Sequence, residues 1–387
     1  MIGMSAVIFI PDDTAKTGYP QSLMLQSVMG APLLAWLANA LFDSGVGRFF
    51  LVCHDRYVEA ARACLPAEAE VMTTMDSDPA DLLHVFLSTA EDAEHTITVV
   101  TGPAVYLPQL APQAAGRFPR VYGVSREELM QALDEHFSFA RFLLDNGSPM
   151  NEEQAMYSVA SPAELPEIAG LLQRNRLLAL ARTGVEIYDA SSCYVEPSVR
   201  VAPGARLLPG TMLRGKTVIG EEAVIGPWSV IDDSVIGARA VVNASQVRES
   251  RVGQDAVVGP YASVRGGCEL GRSVRAGSFV ELKNARLGEN TQVPHLAYIG
   301  DSDVGRNCNF GCGVTTANFD RVQKHETVVG EGAFIGCNTA LIAPLQVGSG
   351  AYIGAGSTIT EDVPAQALGI ARARQSNKKE WAAKHKK

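Results

Sequence analysis

At 387 residues the chain has room for two or more domains, and 47% hydrophobic with 19% charged residues is the make-up of an ordinary globular protein rather than a disordered or fibrous one. A formal net charge of −9 gives no general attraction for nucleic acid or anionic membrane, and no run approaches the ~20 apolar residues of a membrane helix. Aromatics are only 7% while Gly reaches 36 residues, which favours tight turns and small aliphatic packing over a large aromatic core.

The opening MIGMSAVIFIPDD lacks the basic flank and long apolar run of a signal peptide, so a cytoplasmic protein is expected. AVIFI (6–10), FFLV (49–52) and 97–100 read as buried strands. Helical patterns over 33–42, 56–64 and 80–90 alternate with them, and this alternation predicts an α/β domain on a parallel sheet. A further helical stretch is expected over 126–144. The periodicity of 164–183 (ELPEIAGLLQRNRLLALART) predicts a connecting helix.

From Val199 to Thr360 the texture changes. An aliphatic–Gly–x–x–small–x phrase recurs, as in Ile219-Gly220, Ile225-Gly226, Val252-Gly253, Val258-Gly259, Ile335-Gly336 and Ile353-Gly354, mostly at five or six residues or a multiple. Such internal periodicity signals a solenoid, and hexads of this kind predict a left-handed parallel β-helix with three hexads to a triangular coil. Its interior is expected to need no polar side chain. The repeat fails over 316–327 (TANFDRVQKHET), where Asn318, Asp320, Arg321, Lys324 and His325 form a polar insertion. Two readings stand for it, a binding element or a variable surface loop. Arg372, Arg374, Lys378, Lys379, Lys384, Lys386 and Lys387 then crowd the C-terminus, as a solvated tail or an anion-binding arm. The expected organisation is an α/β domain over 1–160, a linker helix over 161–190, the β-helix over 191–364 and a basic arm over 365–387.

The seven cysteines are odd in number and scattered, and a chain of this size needs no disulfide framework. Cys308 and Cys312 stand four apart with no second Cys or His pair at zinc-site spacing, so reduced core thiols are expected. A zinc solenoid with three histidine ligands is not supported, since only His295 and His325 lie in the solenoid and its loop. Within 260–298, Arg265, Glu281, Lys283, His295 and Tyr298 fall within a few coils of one another. Arg265 and Lys283 suit a phosphate or carboxylate, one as a planar fork and one as a point charge. His295, with Glu281 as a partner, suits proton abstraction from an amine near neutral pH.

At these residues a family resemblance becomes specific. GPYASVRGG, GSFVELKNARLG, HLAYIGDSDVG, NFGCGVTTANFD, TVVGEGAFIGCNTALIAPLQVGSGAYIGAGSTIT and ALGIARARQSNKKEW, in order from Gly259 to Trp381, resemble the acetyltransferase domain of a bacterial bifunctional enzyme family. That family joins a glucosamine-1-phosphate acetyltransferase to an N-acetylglucosamine-1-phosphate uridylyltransferase and makes UDP-N-acetylglucosamine for the cell wall. The resemblance implies His295 as general base with Glu281 supporting it, and Arg265, Lys283, Tyr298, Asn309 and Lys324 on the sugar phosphate. It implies Asn318 and the backbone around Phe319 facing the acetyl-CoA thioester, where donors stabilise the developing oxyanion, and Cys337, Ala355 and Arg372 along the coenzyme. It further implies a homotrimer with sites between neighbouring β-helices, acetyl-CoA as a substrate, and no metal requirement for acetyl transfer.

Two positions depart from the family pattern: Phe319 stands where Tyr is usual, and Cys337 where Ser is usual. The N-terminal half departs further. Its first strand runs into PDDTAKTGYPQS instead of a Gly-rich loop with Arg, Pro20-Gln21 replaces Pro-Lys, and Thr101-Gly102-Pro103 lacks a metal-binding Asp. Pro11, Asp12 and Asp13 are poorly suited to a phosphate. A nucleotidyltransferase-like domain that has lost uridylyl transfer is expected, with Asp12 and Asp13 as a solvated turn or a cation site. The alternatives are uridylyl transfer (alone or beside acetyl transfer), a non-catalytic trimer, and another amino-sugar acceptor.

Overall fold

The computed structural model describes residues 4–75, 79–89, 95–110, 120–135, 139–150 and 155–385. Lys386 and Lys387 of the basic arm, and Ala90 at the end of the third expected helix, lie outside them. The chain divides into two compact units. The first comprises 1–184 with 194–199 and 213–215; the second comprises 185–193, 200–212 and 216–387.

The first unit is built on a six-stranded sheet in the order Glu70–Thr74, Val46–Cys53, Met4–Ile10, Thr96–Val100, Val121–Ser125, Ser148–Met150. Alternate residues of the apolar runs serve opposite faces of this sheet. Ala6, Ile8, Phe49 and Leu51 join the helix Leu33–Asp43 in one core, while Val7, Phe50, Ile97 and Val99 join Leu83, Phe86 and Leu129 in the other. Burial on both faces is why those strands read as unbroken apolar runs. The first four strands are parallel, three of them the expected ones and Glu70–Thr74 an unexpected fourth, while Val121–Ser125 and Ser148–Met150 add an antiparallel edge that the parallel expectation lacked. VYGVS and SPM are short and half-polar, so neither carries a buried-strand signal.

Of the helix expected over 126–144, the described residues form two helices, Arg126–Asp134 and Phe139–Asn146, and 136–138 lie outside them. Asp134 and Glu135 crowd the carboxyl end of the first, where the helix dipole disfavours negative charge. The expected 56–64 helix is a 3₁₀ turn, Asp55–Tyr57, followed by Val58–Arg62. The helix Leu165–Arg182 forms as expected and is part of the first unit. Among the described residues no helix is long and apolar enough to cross a membrane.

The second unit is a left-handed β-helix of short strands stacked in parallel, mostly two or three residues long but seven at Glu281–Leu287 and Tyr298–Val304. One face is an eleven-stranded ladder from Glu186–Ile187 to Leu368–Gly369. Ile219, Ile225, Ile236, Val252, Val258 and Leu270 fill the interior and are all buried. Ile219 stacks on Ile236, Ile236 on Val252 and Val252 on Leu270, so a coil is close to three hexads without being fixed in length. The glycine after the aliphatic has a steric cause: a Cβ on Gly220 would stand 2.7 Å from the Ala238 nitrogen, and one on Gly237 2.6 Å from that of Gln254. Ala in either place would collide with the next coil's backbone.

The expectation of an interior without polar groups is wrong at the corners. Ser234, Ser250, Ser302 and Thr327 are buried there. Ser234 Oγ donates to the Asp232 carbonyl (2.7 Å) and accepts from the Ser250 amide (3.1 Å). The three serine hydroxyls supply bonds that the bending backbone cannot make with its own coil, while the Thr327 hydroxyl has no partner among the described residues.

Candidate active site

Parallel stacking puts residues of successive coils into columns. Ser263, Glu281, Tyr298 and Thr315 form one, and Arg265, Lys283 and Gly300 the next. Arg265 therefore stands over Lys283, and its guanidinium donates to the Glu281 carboxylate.

The insertion expected over 316–327 starts after the strand Thr315–Ala317 and brings a third cation. Phe319 bridges Lys324, and the His325 amide donates to the Asn318 carbonyl at 2.8 Å. The Asp320 carboxylate accepts from the amides of Val322 (2.8 Å) and Gln323 (2.7 Å) and pairs with His325 Nε2 (2.8 Å). These partners, the Gln323 amide first, hold Asp320 well below the usual carboxylate range. The insertion is a latched turn, and it delivers Lys324 to Lys283. Lys324 pushes the Lys283 ammonium below its ordinary value, with burial and Arg265 adding to the shift. Three cations thus converge where like charge is already penalised, an arrangement that an anion relieves.

Beneath Lys283 lies an amide–carboxylate cluster. Asp301 and Asn318 are buried. Asp301 accepts from Asn284 Nδ2 at 2.7 Å and from Asn318 Nδ2, and Asn318 Nδ2 also lies 3.5 Å from Tyr298 Oη. An open cavity of about 620 Å³ begins here, lined by Asn284, Asp301, Lys324 and His325 among others.

Of the residues singled out in the sequence, Arg265, Glu281, Lys283, Tyr298, Asn318 and Lys324 come together at this corner. The others lie elsewhere on the coil. His295 is exposed, pairs in register with Ser278, and has no side-chain hydrogen bond among the described residues; Glu281 serves Arg265 and not His295. Asn309 sits half-buried on the ladder between Gln292 and Phe334. Cys337 and Ala355 are exposed at a second corner, where the Gly356 amide donates to the Cys337 carbonyl, and Arg372 lies exposed against Gly356. Phe319 is 61% exposed. Arg374, Lys378, Lys379 and Lys384 are likewise exposed, and Cys308 is buried with its thiol pushed up by burial.

Asp301 and Asn284 escaped sequence reasoning, as did an exposed apolar corner of Trp228, Tyr261, Phe279 and Leu296. Tyr261 and Phe279 stack with ring centroids 5.3 Å apart. Gly-Pro before Trp228 and Tyr261 was the available signal, since it marks a turn that leaves the next side chain outside.

In the first unit the turn after the first strand is closed on itself. Asp12 accepts from Thr14 (2.9 Å), Tyr57 (3.2 Å) and Arg56, and Thr14 does most to pull its carboxyl down. Asp13 accepts from the Leu23 amide at 3.0 Å, and Gln21 donates to the Leu25 carbonyl at 2.9 Å. Gly102 lies under Arg120, whose Nη1 stands 2.6 Å from where a Cβ would be. Among the described residues no three His, Cys, Asp or Glu side chains are grouped as metal ligands would be.

Residues 326–361 match the bacterial transferase hexapeptide (six repeats) family, the class of repeat that the coils define. The relatives are more particular: the chain is 49% identical over 203 residues to the bifunctional protein GlmU of Caldicellulosiruptor saccharolyticus, covering 52% of this chain and 44% of that one. It is 41% identical over 240 residues to the GlmU of Clostridium perfringens (62% and 53%), and 50% identical over 153 residues to that of Clostridium botulinum (40% and 34%). The matched stretch is homologous to part of those proteins, and the chain spans about half their length or less. An inositol-1-phosphate CTP transferase from T. maritima overlaps 46% of this chain and 97% of its own at 13% identity, with a TM-score of only 0.34.

Proposed function

We propose that the second unit is an acetyl-CoA-dependent N-acetyltransferase that converts glucosamine 1-phosphate to N-acetylglucosamine 1-phosphate, as a step towards UDP-N-acetylglucosamine and the cell wall. The observation that carries this reading is the convergence of Arg265, Lys283 and Lys324, supported by the homology to the GlmU proteins. Lys283 and Lys324 repel each other in the free protein, and a phosphate dianion turns that repulsion into two attractions.

His295 is the base. The sugar amine attacks the thioester carbonyl, the C–N bond forms, the C–S bond breaks, coenzyme A leaves as thiolate, and the amine proton passes to the His295 imidazole. Glu281 supports His295 once the phosphate has taken Arg265 from it. Tyr298 and Asn309 complete the sugar-phosphate site, while Asn318, the backbone at Phe319, Cys337, Ala355 and Arg372 take the coenzyme. The separation of His295, Asn309, Cys337 and Ala355 from the cationic corner favours a homotrimer in which neighbouring copies complete each site in the cytoplasm. The exposed apolar corner supports the same assembly. Acetyl transfer on this scheme needs no metal. The domain scheme is the one laid out from the sequence: 1–160, a linker helix over 161–190, the acetyltransferase over 191–364 and an anion-binding arm over 365–387. We assign no uridylyl transfer to the first domain, because Asp12, Gln21 and Gly102 are occupied by the chain's own partners.

The test is thiol release from acetyl-CoA with glucosamine 1-phosphate, beside a second reaction with UTP, magnesium and N-acetylglucosamine 1-phosphate. Thiol release without pyrophosphate is expected. No thiol release refutes the acetyltransferase; pyrophosphate refutes the loss of uridylyl transfer.

A further inference from the structure

Asp301 is only 9% exposed and sits at a coil corner with φ +46°, a left-handed conformation that Asp tolerates better than most residues. Its carboxylate accepts from two amides, Asn284 Nδ2 at 2.7 Å and Asn318 Nδ2. An ionised carboxylate accepts and cannot donate, so both amides must turn their NH₂ groups towards it. Asn318 has a second reason to do so, since its Nδ2 also faces Tyr298 Oη at 3.5 Å. Asn318 as a residue is 8% exposed, and with the NH₂ end of its amide engaged, the other end is a carbonyl oxygen that receives no hydrogen bond among the described residues.

We infer that Asp301 is a positioning residue that locks Asn318 with its carbonyl oxygen outward, as the acceptor for an N–H of the sugar amine in the acetyl-transfer site. The inference rests on the acetyltransferase reading above and changes one role within it: the Asn318 side chain is no oxyanion donor, and that task falls to backbone amides. An acceptor at this place orients the amine lone pair at the thioester carbon and stabilises the N–H bonds as nitrogen gains positive charge. Asp301 touches neither reactant; it acts through Asn318. A coenzyme amide N–H could use the same acceptor, and the kinetics tell the two sources apart.

Asp301→Asn keeps the shape and removes the lock, because the new amide can donate to the Asn318 carbonyl and let it turn round. It also removes an anion that faces Lys283, which by itself favours phosphate binding. The expected result is a fall in kcat of roughly ten- to a hundredfold, with unchanged KM for acetyl-CoA and no rise in KM for glucosamine 1-phosphate. Asn318→Ala is expected to lose a similar factor, and the double variant little more than either, since both changes remove one device. Wild-type kcat in a folded Asp301→Asn protein overturns the inference. So do a loss confined to the acetyl-CoA KM, losses that multiply in the double variant, and a loss that merely tracks a lowered melting temperature or trimer content. If Asp301→Asn does not fold, unimpaired kcat in Asn318→Ala overturns it instead. No thiol release by the unaltered chain overturns the acetyltransferase reading and this inference together, so the two failures are distinguishable.

Discussion

Two charged corners of this molecule use opposite electrostatics. After the first strand, Asp12 is matched by Arg56, Tyr57 and Thr14, and Asp13 by the Leu23 amide, so each charge or dipole has a local complement. On the β-helix, Lys283 faces Lys324 under Arg265, and its ammonium is pushed down as a result. The first arrangement satisfies itself and leaves nothing for a ligand to improve. The second is held in an unfavourable state by a rigid coil and a latched turn, and an anion removes the penalty. Folding tolerates such frustration where the scaffold over-determines it, which is why perturbed groups mark sites of function.

The sharpest break in the comparison is His295→Ala. The loss of a general base is expected to slow acetyl transfer by roughly 10²–10⁴-fold, with the oligomeric state and melting temperature unchanged because the side chain is exposed and has no hydrogen bond among the described residues. Thiol release beside light scattering checks it; near-normal turnover would remove His295 from the mechanism.

Next in size is the cation cluster. Lys283→Met or Lys324→Met is expected to raise KM for glucosamine 1-phosphate about ten- to a hundredfold, the range for one charge-assisted bond. The same change should leave thermal stability equal or higher. The sign follows from the direction of the shift: a depressed ammonium burdens the folded state below its folded pKa, and the burden lifts as pH rises through that value towards the unfolded one. Phosphate binding draws Lys283 back up, so binding in alkaline buffer should take up protons, visible as buffer-dependent heat in calorimetry. A Lys variant with lower stability and unchanged KM would make this corner an ordinary structural network, like the one at Asp12.

How far this contrast could be read in the sequence depends on what enforces each feature. The aliphatic–Gly phrase is legible because every coil needs an interior side chain and then a residue with no Cβ against the next backbone, as at Gly220 and Gly237. Arg265 over Lys283 was partly legible, since both lie near the same phase of successive repeats. Lys324 was visible as a polar residue in a broken repeat, but its delivery to Lys283 depends on Asp320 latching the turn, which no periodicity records. Asp301 was hidden because YIGDSDVG reads as surface turn; only the stacked position of Asn284 and Asn318 shows the carboxylate to be enclosed. The separation of His295 from Glu281 was illegible for the same reason, as close spacing in a solenoid does not say which face a residue takes.

A smaller effect probes the latch. Asp320 is held below the usual carboxylate range, so its contribution is complete above the unfolded pKa of about 4 and is lost only as pH falls towards the folded value. Across pH 5–8 the turn should therefore stay closed, and the KM for sugar phosphate should owe no pH dependence to Asp320. Asp320→Asn should speed amide exchange at Val322 and Gln323 and raise that KM a few-fold through a looser Lys324. Unchanged exchange would mean that the Phe319–Lys324 bridge holds the turn without the carboxylate.

The smallest effect belongs to the self-satisfied corner. Asp12 and Arg56 are both substantially exposed, and an ion pair in water returns little because solvent already screens each charge. Exchanging the pair by Asp12→Arg with Arg56→Asp should lower the melting temperature only slightly, through the lost Thr14 and Tyr57 bonds, and leave acetyl transfer at its original value. Asp12→Gly removes the acid and adds a residue that can turn its amide towards a phosphate, a partial return to the loop type that binds nucleotides. If Asp12 alone were what excludes a nucleotide, this variant would gain UTP binding by equilibrium dialysis. No gain is expected, because Gln21 is tied to the Leu25 carbonyl and Arg120 covers Gly102, so removing one charge leaves two obstructions standing. Measurable UTP affinity gained in Asp12→Gly would show that a single carboxylate, rather than the closure of the whole turn, governs nucleotide binding at this corner.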